Sequence, residues 1–155
     1  MANVNAQGAQ HYLRTKVFTA TPEQLQLMLY DGAIRFAEQA RGALESRNFE
    51  QSYHLITRVQ KIITEMSCTL KHDVAPELCG KLAALYNFVY RKLIEANVEH
   101  LLPPLDEALQ ILRYQRDTWV LLLDQLGKTK AAHAATKIDM PAPDARMEAS
   151  IRLTG

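Results

Sequence analysis

The stretch TATPEQLQLMLYDGAIRFAEQA, residues 19–40, predicts a long amphipathic helix with a well-marked start. Thr21 is a suitable N-cap, Pro22 fits the first helical position, and Gln24 completes a capping box with Thr21. Placed at 100° per residue, the apolar side chains cover an arc of roughly 200°, whereas a helix that packs on one core needs little more than about 100°. This helix therefore has more apolar surface than a single buried stripe requires.

The apolar arc divides into two stripes. The predicted core stripe contains Leu25, Met28, Leu29, Gly32, Phe36, Ala40 and Ala43. The second stripe contains Leu27, Tyr30, Ile34 and Ala37. A similar second stripe follows Pro76 and contains Cys79, Ala83, Tyr86, Tyr90 and Ile94. Two explanations stay open: the ends of the chain cover these stripes, or the stripes line a groove that accepts an amphipathic helix from another protein.

Glycines, prolines and capping residues divide the chain into four predicted helices of about 22 residues, each about 33 Å long. The predicted spans are 21–46, 49–70, 76–99 and 106–126. Asn48 caps the second helix, and Gly127 ends the fourth. Helices of equal length with short connections favour antiparallel neighbours. The sequence therefore predicts an all-α, antiparallel, up-down-up-down four-helix bundle.

The two ends of the chain differ from the bundle in composition. Residues 1–20 are predicted to form an extended or irregular N-terminal arm in which Tyr12 and Leu13 are apolar anchors. This arm can occupy the groove until a partner displaces it. Residues 21–126 form the predicted bundle domain. Residues 127–155 have too few large apolar side chains to offset the entropic cost of ordering, so we expect a flexible, disordered tail.

The composition excludes several classes of partner. A formal net charge of +1 creates no large field that would attract nucleic acid or an anionic membrane. No apolar run approaches the roughly 20 residues of a membrane helix, and the first twenty residues lack the apolar core of a signal peptide. Two cysteines, Cys68 and Cys79, fit a reduced cytoplasmic protein with free thiols. We expect a protein of the cytosol.

No arrangement of residues indicates catalysis or metal binding. A di-iron site in a four-helix bundle needs Glu-x-x-His pairs, and the sequence contains none. Glu50 and His54 share the polar face of the second helix, which favours a solvated pair over a ligand pair. No Gly-rich phosphate loop and no nucleophile elbow occur. We therefore expect a bundle that binds protein, without enzymatic activity, metal or cofactor.

Three segments resemble the flagellar secretion chaperone family FliS. They are YLRTKVFTATPEQLQLMLYDGAIRFAEQA, LAALYNFVYRKLIEAN and LRYQRDTWVLLL, and the resemblance spans about residues 12–124. It implies a cytoplasmic export chaperone for flagellin, with no catalysis. Such a chaperone binds the disordered C-terminal segment of flagellin, prevents premature polymerisation and delivers the subunit to the flagellar export apparatus.

The resemblance and the extra stripes together predict the client-binding residues. The arm tyrosine of the family falls on Tyr12, the Met-Leu-Tyr-Asp-Gly run falls on residues 28–32, and an Ala-Asn pair falls on Ala96 and Asn97. The predicted set is Tyr12, Leu13, Leu27, Tyr30, Ile34, Tyr86, Tyr90, Ile94 and Asn97. The predicted partners are the flagellin C-terminal segment and components of the export apparatus. The free protein is expected to be a monomer or a weak homodimer.

A histidine phosphotransfer module is the alternative from another class. Such modules are also four-helix bundles, and they expose a histidine in the middle of a helix, as the second predicted helix does at His54. The Lys-Gly pair that commonly follows the phosphorylated histidine is absent from HLITRV. His54 is therefore better interpreted as a solvated residue on a helix face.

Overall fold

The computed structural model describes residues 2–138, and it describes side chains within residues 5–137. The described chain contains five helices: α1 Ala2–Thr19, α2 Pro22–Glu45, α3 Phe49–Cys68, α4 Pro76–Glu99 and α5 Leu102–Ile138. No strand occurs among these residues, so the prediction of an all-α fold is confirmed. The chain divides into two units, Met1–Val120 and Leu121–Gly155. No helix of residues 2–138 is long and apolar enough to cross a membrane.

Local side chains explain where α2 and α3 begin. The Thr21 hydroxyl oxygen accepts a hydrogen bond from the backbone N–H of Gln24 (3.2 Å), and Gln24 Oε1 accepts one from the backbone N–H of Thr21 (3.0 Å). The predicted capping box is therefore confirmed. Asn48 Oδ1 accepts from the backbone N–H of Gln51 at 3.2 Å, which confirms the second cap. Each cap stabilises its helix by about 1 kcal/mol.

Helices α2, α3 and α4 and the part of α5 up to Val120 form the predicted bundle within the first unit. Short connections make consecutive helices antiparallel neighbours. Three ion pairs between α2 and α5 run in opposite directions along the two helices: Arg41–Asp106 at 2.7 Å, Glu38–Arg113 at 2.7 Å and Asp31–Arg116 at 2.9 Å. The first and last helices of the bundle are therefore antiparallel, as an up-down-up-down bundle requires.

The core of the bundle is apolar and draws on all four helices. Outside α2, it contains Leu55, Ile56, Val59, Ile63 and Met66 of α3, Tyr86, Val89, Leu93 and Ala96 of α4, and Leu105, Ala108, Leu109 and Leu112 of α5. These side chains recur every three or four residues along each helix, so each helix buries one stripe against the others.

The core face of α2 differs from the predicted one. The buried residues of this helix are Tyr30, Ala33, Ala37, Ala40, Ala43 and Leu44, whereas Leu25, Met28, Leu29 and Phe36 are only half-buried. The assignment of Tyr30 and Ala37 to a free stripe is therefore wrong. An apolar arc of roughly 200° contains several stripes of about 100°, and the helix alone does not determine which of them faces its neighbours.

The two ends of the chain are more helical than predicted. Residues 2–19 form α1 instead of an irregular arm, because alanine and glutamine favour helix even without a buried face. Helix α5 begins at Leu102 and continues through Gly127 to Ile138, so the predicted start at residue 106 and the predicted stop at residue 126 are both wrong. A glycine in a helix costs only about 1 kcal/mol relative to alanine. The part of the predicted tail after residue 138 lies outside the described residues.

Candidate binding cleft between α3 and α4

The helices of the bundle are joined by different kinds of contact. Besides its ion pairs with α2, α5 is tied to that helix by Trp119 Nε1, which donates to the Glu23 carbonyl oxygen at 2.9 Å. Lys92 of α4 and Glu107 of α5 form an ion pair at 3.1 Å. Within residues 5–137, no ion pair joins α3 to another helix. Helix α3 is therefore held by apolar packing.

Two adjoining hollows open between α3 and α4. The first, of about 260 Å³, is lined by Ile63, Thr64, Ser67, Cys68, Tyr86, Asn87 and Tyr90. The second, of about 470 Å³, is lined by Thr57, Gln60, Lys61, Thr64, Glu65 and Tyr90. Thr64 and Tyr90 line both hollows, so the two form one elongated feature, which we call the α3–α4 cleft.

An exposed apolar strip on α4 continues from the cleft. Tyr90, Ile94 and Val98 are 36%, 43% and 72% exposed, and they follow one another at intervals of four residues. Side chains at this spacing lie on the same face of a helix. Neighbouring exposed side chains of this size are typical of surfaces that bind another protein. Asn97, which is half-buried, follows Ile94 by three residues and adds an amide to the same region.

A pair of buried tyrosines lies beneath the cleft. The hydroxyl groups of Tyr30 and Tyr86 are 3.0 Å apart, and Gln26 Nε2 donates to the Tyr86 oxygen at 3.4 Å. Burial, and then the hydrogen bond with Tyr30, raises the pKa of Tyr86, so its phenol stays neutral at ordinary pH. The pair links α2 to α4 through the interior. Tyr86 is 1% exposed, so its assignment to a free stripe is wrong, as is that of Tyr30.

The other predicted client-binding residues fall into three groups. Tyr90 and Ile94 are exposed at the cleft and beside it, and Asn97 follows them on α4. Leu27 is half-buried on α2, and Ile34 is half-buried against the core. Tyr12 and Leu13 are 68% and 51% exposed on α1, where every side chain from residue 5 to residue 19 is exposed. The structure thus does not show the arm covering a groove.

The α3 wall of the cleft was not predicted from the sequence. Thr57 and Thr64 are seven residues apart and lie on the same side of α3, with Gln60 between them. The sequence signal for this wall is the spacing of the two small hydroxyl-bearing side chains, which the apolar pattern of α3 does not include. Within the described residues, no group of three or more His, Cys, Asp or Glu could hold a metal ion. A cleft with an apolar floor and hydroxyl-bearing walls is suited to binding one face of a polypeptide segment.

The family model and the two relatives described below all belong to one family. The family model described as flagellar protein FliS matches residues 4–126. The flagellar secretion chaperone FliS of Bacillus subtilis (strain 168) is 34% identical over 108 residues, which cover 70% of this chain and 80% of that protein. The flagellar secretion chaperone FliS of Escherichia coli (strain K12) is 26% identical over 119 residues, which cover 74% and 88%.

A solved structure shares the fold. A crystal structure of a bacterial flagellar chaperone superposes with a TM-score of 0.64, covering 78% of this chain and 98% of that chain. At 19% sequence identity, this similarity concerns the architecture alone. Residues 4–126, which the family model matches, include α3 and α4, the helices that form the cleft.

Proposed function

We propose that this chain, which belongs to the FliS family of flagellar secretion chaperones, is the export chaperone of a flagellin. In this proposal it binds the disordered C-terminal segment of flagellin in the cytosol, prevents premature polymerisation and delivers the subunit to the flagellar export apparatus. Membership of a chaperone family implies binding and not catalysis. It also favours this function over the histidine phosphotransfer alternative, in which the exposed His54 would carry the phosphate.

The observation that carries the proposal is the exposed strip of Tyr90, Ile94 and Val98 beside the α3–α4 cleft. A client segment that folds into an amphipathic helix can lay its apolar face along this strip. Burying a whole side chain of this size contributes about 1.5–3 kcal/mol, so burying the exposed fractions of these three contributes roughly 2–4 kcal/mol.

That gain is too small to explain tight binding by the cleft alone. Folding a disordered client segment costs about 2–5 kcal/mol or more, which cancels the contribution of the strip. The client must therefore continue beyond the cleft onto further apolar side chains. Leu78 and Leu85, which are 59% and 37% exposed on α4, lie on the side of that helix away from Tyr90 and Ile94, so they are available only to a client that wraps across α4. In this proposal the cleft anchors a longer, wrapped interface.

The cleft is suited to admitting a helix. No ion pair has to break when α3 and α4 move apart, because α3 forms none with its neighbours among residues 5–137. Thr57, Gln60 and Thr64 offer donors and acceptors for polar groups of the client. Components of the export apparatus are the further partners that we propose, and the free chaperone is a monomer or a weak homodimer.

The proposal is tested by mixing the chaperone with flagellin and following filament growth by light scattering. We expect equimolar chaperone to suppress growth and to form a one-to-one complex, while flagellin that lacks its C-terminal segment stays unbound. Ile94→Asp should abolish both effects, because it places a charge on the apolar strip. The matched control is Tyr114→Asp on α5, a residue that is 71% exposed and does not line the cleft. Equal binding of intact and truncated flagellin would contradict the proposal.

A further inference from the structure

Two arginines of different helices stack on one aromatic ring at the α2–α3 seam. The Cζ atom of Arg35 lies 5.2 Å from the centre of the Phe36 ring, and the Cζ atom of Arg58 lies 5.3 Å from it. Phe36 is half-buried and packs against the core, whereas both arginines are exposed. The Phe36 ring therefore holds both guanidinium groups at the protein surface.

The carboxylates nearest to Arg35 and Arg58 along their helices are either bonded to other residues or absent from the adjacent turns. The acidic residues closest to Arg35 along its helix are Asp31 and Glu38, and both are bonded to arginines of α5, at 2.9 Å and 2.7 Å. The positions three and four residues from Arg58 carry His54, Leu55, Lys61 and Ile62. Within residues 5–137, neither Arg35 nor Arg58 forms an ion pair. The α2–α5 ion pairs thus leave two unneutralised guanidinium groups on the neighbouring seam.

Lys61 adds a third positive charge one turn after Arg58, and it also forms no ion pair among these residues. These three cations lie on α2 and α3, where Glu65, four residues after Lys61, is the nearest carboxylate of α3 and forms no ion pair with it among residues 5–137. A guanidinium that lies on an aromatic ring has already lost much of its conformational freedom, while the N–H groups at its edge stay free to donate. Such groups recognise carboxylates through paired, charge-assisted hydrogen bonds.

We propose that Arg35, Phe36, Arg58 and Lys61 form a docking surface for an acidic segment of a second protein. The matching segment is a helix with two carboxylates three or four residues apart, since that spacing places their Cβ atoms about 5–6 Å from each other. A partner protein fits better than nucleic acid, because three cations do not form the extended basic track that follows a phosphate backbone.

This docking surface differs from the proposed client site and does not depend on it. The arginines lie at the seam of α2 with α3, while the cleft lies at the seam of α3 with α4. Lys61 belongs to both, because it also lines the second hollow of the cleft. A second protein that docks here would lie next to a bound client and would meet the cleft only at Lys61.

The test uses the full-length chain and a fluorescein-labelled helical peptide with glutamates at four-residue spacing. Fluorescence anisotropy at low salt measures binding to the wild type, to the double variant Arg35→Gln/Arg58→Gln and to Arg35→Lys/Arg58→Lys. The matched control is Lys81→Gln/Arg91→Gln, which removes the same charge from two exposed positions of α4. Urea denaturation of each variant checks that the fold is kept.

We expect binding to weaken at least about tenfold in the glutamine double variant and severalfold in the lysine variant, which keeps the charge but not the planar donor group. The control variant should bind within about twofold of the wild type. A peptide with glutamine in place of glutamate should not bind. Absence of binding to the wild type, or an equal loss in the control variant, would overturn the proposal. Equally strong competition by a single-stranded oligonucleotide would also overturn it, since the surface would then attract any polyanion.

Discussion

The buried hydroxyl pair of Tyr30 and Tyr86 makes a quantitative prediction about the interior of the bundle. Tyr86→Phe removes the hydrogen bond with Tyr30, with a net contribution of about 1 kcal/mol, together with the longer one from Gln26, and it leaves the Tyr30 hydroxyl without its partner at 3% exposure. An unsatisfied buried hydroxyl costs about 1–3 kcal/mol. We therefore expect Tyr86→Phe, and likewise Tyr30→Phe, to lower the free energy of unfolding by about 1–3 kcal/mol.

The double variant separates this explanation from ordinary loss of packing. Tyr30→Phe/Tyr86→Phe removes both hydroxyl groups, so no orphaned partner is left, apart from the half-buried Gln26. The double variant should lose about as much stability as either single variant, which corresponds to a coupling energy of about 1–3 kcal/mol.

Urea denaturation followed by the fluorescence of Trp119, the one tryptophan of the chain, measures these differences. Its indole donates to the first turn of α2, so its emission reports on the packing of α5 against α2. Tyr114→Phe, which alters an exposed hydroxyl, is the control and should change stability by less than about 0.5 kcal/mol. Additive losses in the double variant would refute the buried pair.

Three further predictions follow from burial. The pKa of Tyr86 is raised in the folded protein, so above about pH 10 this tyrosine ionises more readily in the unfolded chain. The free energy of unfolding should therefore fall there by up to about 1.4 kcal/mol per pH unit. In the Tyr86→Phe variant it should fall less steeply. Gln115→Met should raise the urea midpoint by the equivalent of about 1 kcal/mol, because both side-chain polar atoms of Gln115 are buried without a hydrogen-bond partner among residues 5–137. A lower midpoint would contradict this. Deleting residues 1–19 should leave the midpoint nearly unchanged, since residues 5–19 are exposed, and a large loss would show that α1 supports the bundle.

The sequence determines the starts of α2 and α3 and the fold class because these depend on neighbouring residues, whereas α5 begins at Leu102, four residues before its predicted start. Thr21 with Gln24, and Asn48 with Gln51, form their caps within one turn, so the pattern and the structure agree. The resemblance carried by the MLYDG run is likewise confirmed by the family match over residues 4–126. The fold could therefore be predicted from local chemistry and the resemblance together.

The site was harder to predict because it depends on how helices pair. In the sequence, Tyr30, Tyr86 and Tyr90 all lie on apolar stripes. In the structure, the first two share a buried hydrogen bond, whereas the third lies 36% exposed at the cleft. A helical wheel does not show that difference, because the partner of each hydroxyl is on another helix. Thr57 and Thr64 become recognisable as a wall only after α4 is placed beside α3. The predicted domain boundaries and client contacts stay predictions.

The role of the α3–α4 cleft is tested most directly by titration calorimetry of the flagellin C-terminal segment against two tyrosine variants. Tyr90→Ala removes a ring that lines both hollows, and Tyr114→Ala removes a ring from the exposed surface of α5. We expect Tyr90→Ala to lose about 2 kcal/mol or more of binding free energy, roughly thirtyfold in Kd, while its free energy of unfolding changes by about 1 kcal/mol or less. Tyr114→Ala should bind like the wild type. Equal affinities for the two variants would contradict a client site in the cleft.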